Sequence, residues 1–429
     1  MIDIKLIRET PETVKQRLLK KGAECSVEID SIIDLDTRRR TLISSYESLK
    51  AEQNKTSKQI PQLKKDGIDT AEIIERLNLL KEEIRLSESE LHDIEDNLNS
   101  LMLRLPNLPD DDLLPGGKEN NEPLRYYGEL KTFDFEPKNH MELCANLGLI
   151  DYSRGVKLAG SGFWIYRGLG SRLEWALLNY FIDTHVADGY ELLFVPYMLE
   201  YQCGLTAGQF PKFSDEVYKI ANPTDDRIHY MLPTAEAALV SLHRDEILSE
   251  AELPKKYISF TPCFRREAGT YGSDERGMVR GHQFNKVEMV QYTTPEGSPE
   301  AFDELVCKAE ALVAGLGFHF RTVKLAAADC SAAMARTYDI EIQIPSMNGY
   351  KEVSSVSNAR CYQARRGSMR FRREATGKTE FMHTLNGSGL ATSRILPALV
   401  EQNQQKDGSI VIPEVLRKYL DGLEVINPI

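Results

Sequence analysis

Between Thr261 and Val290 the chain places Arg265, Arg266, Arg276, Arg280 and Lys286, although its formal net charge is -12. A negative total argues against coating of nucleic acid over the whole surface, yet it leaves room for a local basic one. Read alone, such a segment is a solvated hairpin loop between two strands. Three other segments carry comparable material: LPTAEAA around Thr234 and Glu236, YKEVSSVSNARCYQARR around Glu352 and Ser355, and HTLNGSGLATSRILPALVEQ around Ser388 and Arg394. Each sets small residues and hydroxyls beside isolated carboxylates and arginines. Four such segments in one part of a chain point to convergence on a polyanionic ligand with a small polar co-substrate.

Other chemistries lose support on inspection. GKT at Gly377 to Thr379 lacks the P-loop glycine five positions earlier, where Arg372 stands. GSGLAT at Gly387 to Thr392 is only loosely like a dinucleotide loop, and no βαβ pattern surrounds it. Neither G-x-S-x-G nor H-E-x-x-H occurs, so serine-hydrolase and zinc-protease chemistry lack their motifs. Seven scattered cysteines without a C-x-x-C pair indicate neither a disulfide framework nor a cysteine zinc site, and no zinc is expected. MIDIKLIRETPETVKQRL has no apolar signal core and no arginine-rich transit pattern, and no stretch supplies the roughly 20 apolar residues of a membrane span. The expectation is a cytoplasmic protein with no membrane partner.

At 429 residues the chain is long enough for about two or three domains. The elements that must position the polar segments begin with a long helical hairpin. Leu35, Leu42, Tyr46, Leu49, Ile60 and Leu63 form one seam at steps of three and four, with Gln53 and Thr56 in two slots. Leu77, Leu80, Ile84, Leu91, Ile94, Leu98, Leu101 and Leu105 form a second. Such narrow stripes bury against a partner helix. Between them Gly67 can stop the first helix, and Asp69 with Glu72 can form a capping box for the second. Limbs of about thirty residues would span some 45 to 50 Å, too long for one side of a compact domain. Pro61 is expected to bend the first limb or end its regular hydrogen bonding. The outgoing limb carries eight lysines and arginines against four acids, and the returning limb ten acids against four. Solvated faces, a dimerisation device or a phosphate-tracking face all fit that pattern.

PNLPDDDLLPGG breaks the helix and supplies a linker. Beyond it, strand-like YELLFVP, KYISFTP and YDIEIQI alternate with helical stretches such as GSRLEWALLNYFIDTHVADG, and IPEVLRKYLDG reads as a closing helix. The fold class is α+β: an antiparallel-sheet domain preceded by a helical hairpin arm. Its divisions are residues 1–105 for the arm-bearing domain, 106–125 for the linker and 126–429 for the second domain.

At these segments the chain resembles a bacterial-type seryl-tRNA synthetase, an antiparallel-sheet class II aminoacyl-tRNA synthetase. DGYELLFVPYM with Pro196 resembles the first class motif, FRREAGTYGSDERGMVRGHQFNKVE the second and NGSGLATSR the third. TAE at Thr234 to Glu236 and the hairpin arm point to the serine enzyme, and the likeness runs over essentially the whole chain. It implies ATP and Mg2+, L-serine, tRNA(Ser) with tRNA(Sec) as a further candidate, and a homodimer built through the first motif. Arg265 would clamp the α-phosphate, since a planar guanidinium pairs with phosphate oxygens. Glu267 would take the adenine amino group, Phe284 would stack on the purine, and Arg394 would sit near the γ-phosphate. Arg266, Gly281, Val353 and Ser354 complete the implied ATP site, and Glu352 with Ser355 offers the hard oxygens Mg2+ prefers. Thr234, Ala235, Glu236, Glu288 and Ser388 would hold serine. A site built to pair its hydroxyl would reject alanine, while threonine must be excluded by size. The arm would meet the tRNA variable region and elbow.

The same residues have plainer readings: Phe284 as core, Arg394 as a surface ion pair, TAE as a helix N-cap. Ser273 and Glu275 stand where the family commonly has arginine and threonine, and Ala359 and Cys361 where it has cysteine and aspartate. Pro397 follows Arg394 closely, which a helix tolerates in its first turn. Two alternatives remain: an amino-acid-activating relative that loads a carrier other than tRNA, and a coiled-coil interaction protein with a catalytically dead second domain.

Overall fold

The computed structural model describes residues 1–267, 277–347 and 349–429. The chain divides into two compact units, Ile2–Leu19 with Ala23–Pro106, and Met1, Lys20–Gly22 and Asn107–Ile429.

The first unit is built around two long helices, α1 (Ser26–Lys65) and α2 (Ala71–Arg104). Their 40 and 34 residues span roughly 60 and 50 Å. The seam expected for α1 is its half-buried stripe, Gln53 and Thr56 included, and Leu80, Ile84, Ile94 and Leu98 are buried on α2. Polar pairs cross between the limbs: Tyr46 donates to Glu88 at 2.7 Å, Lys50 lies 3.3 Å from Glu88, and Arg76 bonds Glu52 at 2.8 Å. Asp36, 1% exposed, is paired with Arg8 at 3.0 Å and Arg39 at 2.9 Å.

Three details differ from expectation. Helix α1 begins at Ser26, nine residues before the apolar seam. It also continues past Pro61 to Lys65, so the missing amide interrupts the ladder without ending the helix. Gly67 does stop it: φ is +73°, and Gly67 and Ile68 amides bond the Lys64 and Leu63 carbonyls, the two bonds of a Schellman motif. The Asp69–Glu72 capping box is not formed. Thr70 occupies the N-cap without a side-chain bond, and Asp69 accepts instead from the Ala71 amide at 3.0 Å.

The second unit is organised by an eight-stranded sheet. Its strands are β1 (Glu122–Tyr127), β2 (Glu191–Leu192), β3 (Lys255–Phe264), β4 (Gln283–Thr293), β5 (Phe320–Lys324), β6 (Arg336–Gln343), β7 (Tyr350–Arg360) and β8 (His383–Ala391). The spatial order is β1-β5-β6-β7-β8-β4-β3-β2, antiparallel except at the β2–β3 edge. YELLFVP supplies only the two residues of β2 to this sheet. Helices α3 (Leu169–Ala187), α4 (Ser298–Gly315) and α5 (Thr392–Gln402) share one hydrophobic core with it, through Leu173, Leu177, Phe181, Phe302, Leu305, Leu312, Ile395 and Leu399. Pro397 lies in the second turn of α5, not the first. The closing segment is a helical turn, Glu414–Arg417, then a 3-10 turn and the short strand Val425–Ile426, rather than one helix.

Candidate active site

Strands β3 and β4 form a hairpin in register from Lys255 opposite Tyr292 to Phe264 opposite Gln283. Pro262 fits inside β3 because β2 pairs only with Tyr257 and Ile258, leaving the outer edge beside Pro262 without a ladder partner among the described residues. Alternation along β4 puts Phe284, Lys286 and Glu288 on one face. Past Phe264 the backbone turns out of the sheet, and Glu267 takes φ +49°, sparsely populated by non-glycine residues. Its carboxylate pairs with Arg280 at 2.5 Å. Arg276, Ser273 and Glu275 lie outside the described residues.

Two pockets meet here. One, of about 250 Å3, is bordered by Gly281, Phe284, Lys286, Glu352, Val353, Ser388 and Arg394. The other, of about 430 Å3, is bordered by Gln209, Phe213, Thr234, Glu236 and Met334. Arg265, Glu267 and Arg280 border both. The Arg265 guanidinium lies 5.2 Å from the centroid of the Phe284 ring and donates to the Pro233 carbonyl at 3.3 Å. Among the described residues no carboxylate pairs with it, so its charge faces the pockets. Arg394, in the first turn of α5, donates to the Glu352 carbonyl at 2.7 Å and lies 3.5 Å from its carboxylate. Gly281 must be glycine here: a Cβ would fall 2.2 Å from the Trp164 ring.

At the junction sits a buried polar cluster. Lys286, 6% exposed, pairs with Glu288 and donates to Thr234 Oγ1 at 2.8 Å. Asn386 donates to Glu288 at 3.0 Å, and Gln363 to Glu236 at 2.8 Å. Thr234 Oγ1 accepts from the Glu236 amide at 3.2 Å, but Ala235 holds the N-cap without a side-chain bond, so of the helix-cap reading of TAE only the acid at the first helical position is found. Burial raises the Glu236 carboxyl to about 7, reinforced by Glu288 and opposed by Gln363, Lys286 and Arg265.

Glu352 and Ser355 are three apart on β7 and would face opposite ways in a regular strand. A register shift sets Ser355 opposite Asp339 and Glu352 opposite Glu341, which returns both to one side. Asp339 gathers with them: burial pushes its carboxyl well above the usual range, Glu352 adds to that, and Ser355 opposes it. One Asp339 oxygen, Oδ1, is buried without a partner. Among the described residues no three His, Cys, Asp or Glu side chains could hold a metal by themselves. Oxygen donors of this kind suit Mg2+, which binds one or two carboxylates and completes its shell from phosphates and water.

Some expected residues point elsewhere. Arg266 donates to the Asp215 carbonyl at 2.7 Å and borders neither pocket. Ser354 donates to the Ser388 carbonyl at 2.6 Å, and Ala235 is buried in an apolar cluster. Lys286, Asn386, Gln363 and Asp339 were not singled out as site residues from the sequence. Lys286 stood in the basic run and the others in quoted segments, but only the tertiary fold shows what each touches.

The chain matches the family model for the tRNA synthetase class II core domain (G, H, P, S and T) over residues 218–403, and that for the seryl-tRNA synthetase N-terminal domain over residues 1–109. It is 58% identical over 422 residues to serine-tRNA ligase 2 of Clostridium acetobutylicum, covering 98% of this chain and 99% of that protein. With serine-tRNA ligase of Thermodesulfovibrio yellowstonii it shares 44% identity over 432 residues and the full length of both. Among solved structures, seryl-tRNA synthetase from Pyrococcus horikoshii complexed with ATP superimposes with a TM-score of 0.92 at 34% identity, covering 100% of both chains. The cytoplasmic serine-tRNA ligase of Naegleria fowleri in complex with AMP gives 0.88 at 28%, covering 100% of this chain and 99% of that one. A match that runs end to end, arm and sheet domain together, leaves one conclusion: the chain belongs to the seryl-tRNA synthetase family of class II aminoacyl-tRNA synthetases.

Proposed function

We propose that the first pocket takes ATP, the second takes L-serine, and the chain joins them as seryl-adenylate before transfer to the 3' end of tRNA(Ser). The observation that carries this reading is a guanidinium bordering two pockets, with an aromatic ring on one side and the buried Glu236 carboxyl on the other. Arg265 lies where the α-phosphate must meet the serine carboxylate. Phe284 takes the purine, Glu267 its amino group, and Arg394 the terminal phosphates. Glu236, with Thr234 beside it in the second pocket, receives the ammonium of serine, and Glu288, paired with Ser388 of the first pocket's border across β4 and β8, receives its hydroxyl. Glu352 and Ser355 would hold Mg2+, which neutralises phosphate charge when bound. No enzyme nucleophile is needed: the serine carboxylate attacks the α-phosphorus, pyrophosphate leaves, and positioning with a fixed electrostatic field supplies the rate.

The basic outgoing limb of the arm would track tRNA phosphates. Trp175, packed 5.7 Å from Phe260, and Phe194 are large apolar groups left 55% and 75% exposed, a surface suited to a second copy in a homodimer. The test is serine-dependent exchange of pyrophosphate into ATP, with threonine, alanine and glycine in parallel. Exchange with serine alone, reduced about 100-fold or more in Arg265→Ala and Glu288→Ala, supports the assignment. Absence of exchange with all four amino acids would end it. Charging of tRNA(Ser) beside tRNA(Sec) then decides the nucleic-acid substrate and excludes or admits a non-tRNA carrier.

A further inference from the structure

Glu174, on α3, is a carboxylate that the reading above leaves idle. It is 4% exposed. One of its oxygens, Oε1, accepts from the Thr392 hydroxyl at 2.5 Å and from the Asn285 amide at 2.8 Å. The Thr392 hydroxyl also lies 3.2 Å from the Asn285 carbonyl, so the three groups form one closed set. The other oxygen, Oε2, is buried with no hydrogen-bond partner, and the buried Tyr166 phenol interacts with the same carboxyl.

The donors come from two elements that each carry a residue of the first pocket. Asn285 lies on β4 between Phe284 and Lys286 and, by strand alternation, projects from the face opposite theirs. Thr392 opens α5, two residues before Arg394. Apolar side chains would join three packed elements without the expense of taking a carboxylate out of water. A half-satisfied carboxylate kept at this junction calls for a specific role.

We propose that Glu174 is a positioning residue for the nucleotide: by bonding Asn285 and Thr392 through one oxygen it fixes the placement of Phe284 on β4 relative to Arg394 on α5. The inference rests on the functional reading above. Glu174 itself touches no substrate. Burial raises its carboxyl to about 7, against the opposing pull of Thr392 and Asn285, so a neutral amide is a close substitute for it.

The experiment compares the full-length wild type with Glu174→Gln, Glu174→Ala and Thr392→Val. It measures pyrophosphate exchange with the KM for ATP and for serine determined separately, alongside thermal unfolding. The expected result is an ATP KM raised about fivefold or more in Glu174→Ala and Thr392→Val, a serine KM within about twofold of wild type, and both values restored in Glu174→Gln. An unchanged ATP KM in a folded Glu174→Ala or Thr392→Val, or equal changes in both KM values with a lowered melting temperature, overturns the positioning role. If Glu174→Ala does not fold, Thr392→Val decides alone. A wild type without serine-dependent exchange sinks the functional reading itself, an outcome recognised before any variant is compared.

Discussion

Glu236 carries a consequence that can be read in solution. Its carboxyl titrates at about 7 in the folded chain, against about 4.3 for an ordinary glutamate. The folded state therefore binds the proton more tightly than the unfolded state. The stability this contributes is fully present below the unfolded value and is lost as pH rises through about 7. Glu174, raised to about 7 by burial, acts with the same sign. The melting temperature of the ligand-free protein should fall between about pH 5 and about pH 8, and less steeply in Glu236→Gln. An ammonium selects the ionised carboxylate, so calorimetry should find serine bound about tenfold more weakly near pH 6 than near pH 8. Glu236→Gln should lose that dependence along with most of the affinity. A serine Kd insensitive to pH in the wild type would remove Glu236 from the ammonium site. Arg265, Phe284, Glu236, Glu288, Glu352 and Arg394 were legible as a set because their segments share a composition and a family resemblance. Lys286, Asn386, Gln363 and Asp339 were not, since their importance lies in partners brought from distant segments: neighbouring strands for Asn386 and Asp339, a helical turn for Gln363 and the segment leading into it for Lys286.

At the scale of elements, the helical arm was the part most readable in advance. The step of three and four that marks Leu35 to Leu63 is the physical requirement for burying one stripe, so the half-buried residues are the ones the spacing selects. Ends were harder. Asp69 lies one residue too far from the first turn of α2 to close a box with Glu72, and it bonds Ala71 instead. At Pro61, where a bend or an end to regular hydrogen bonding is expected, the helix runs on for four residues. The proline ring still removes one ladder bond, a local loss of about 1 to 3 kcal/mol. Pro61→Ala in the full chain should therefore slow amide hydrogen exchange in residues 57–65 about tenfold or more, with the melting of the sheet domain unchanged. Equal exchange in the two proteins would show that the tip tolerates the missing bond without penalty. β2, only two residues from a longer apolar run, shows why strand lengths resist prediction: β3 offers more edge than β2 pairs with, so the limit is set by where the chain leaves that edge, not by its apolar content.

For the whole molecule, a net charge of -12 means that a polyanion the size of tRNA is repelled except where cations are concentrated. Lys55, Lys58, Lys64 and Lys65 form such a concentration near the tip of α1, all exposed. Replacing these four by glutamine should weaken tRNA binding and flatten the plot of log affinity against log salt by about 0.7 to 0.9 for each phosphate no longer neutralised. A salt slope unaltered by the substitutions would place the tRNA elsewhere. The wall of Arg265, Glu267 and Arg280 between the two pockets has a different kind of consequence. Ligands that press on opposite sides of one set of charges cannot bind independently. Whatever factor the nucleotide imposes on the affinity for the amino acid, the amino acid must return to the nucleotide in full, because linkage is reciprocal. The enzyme would then sense the supply of each substrate through the other, with no separate regulatory site.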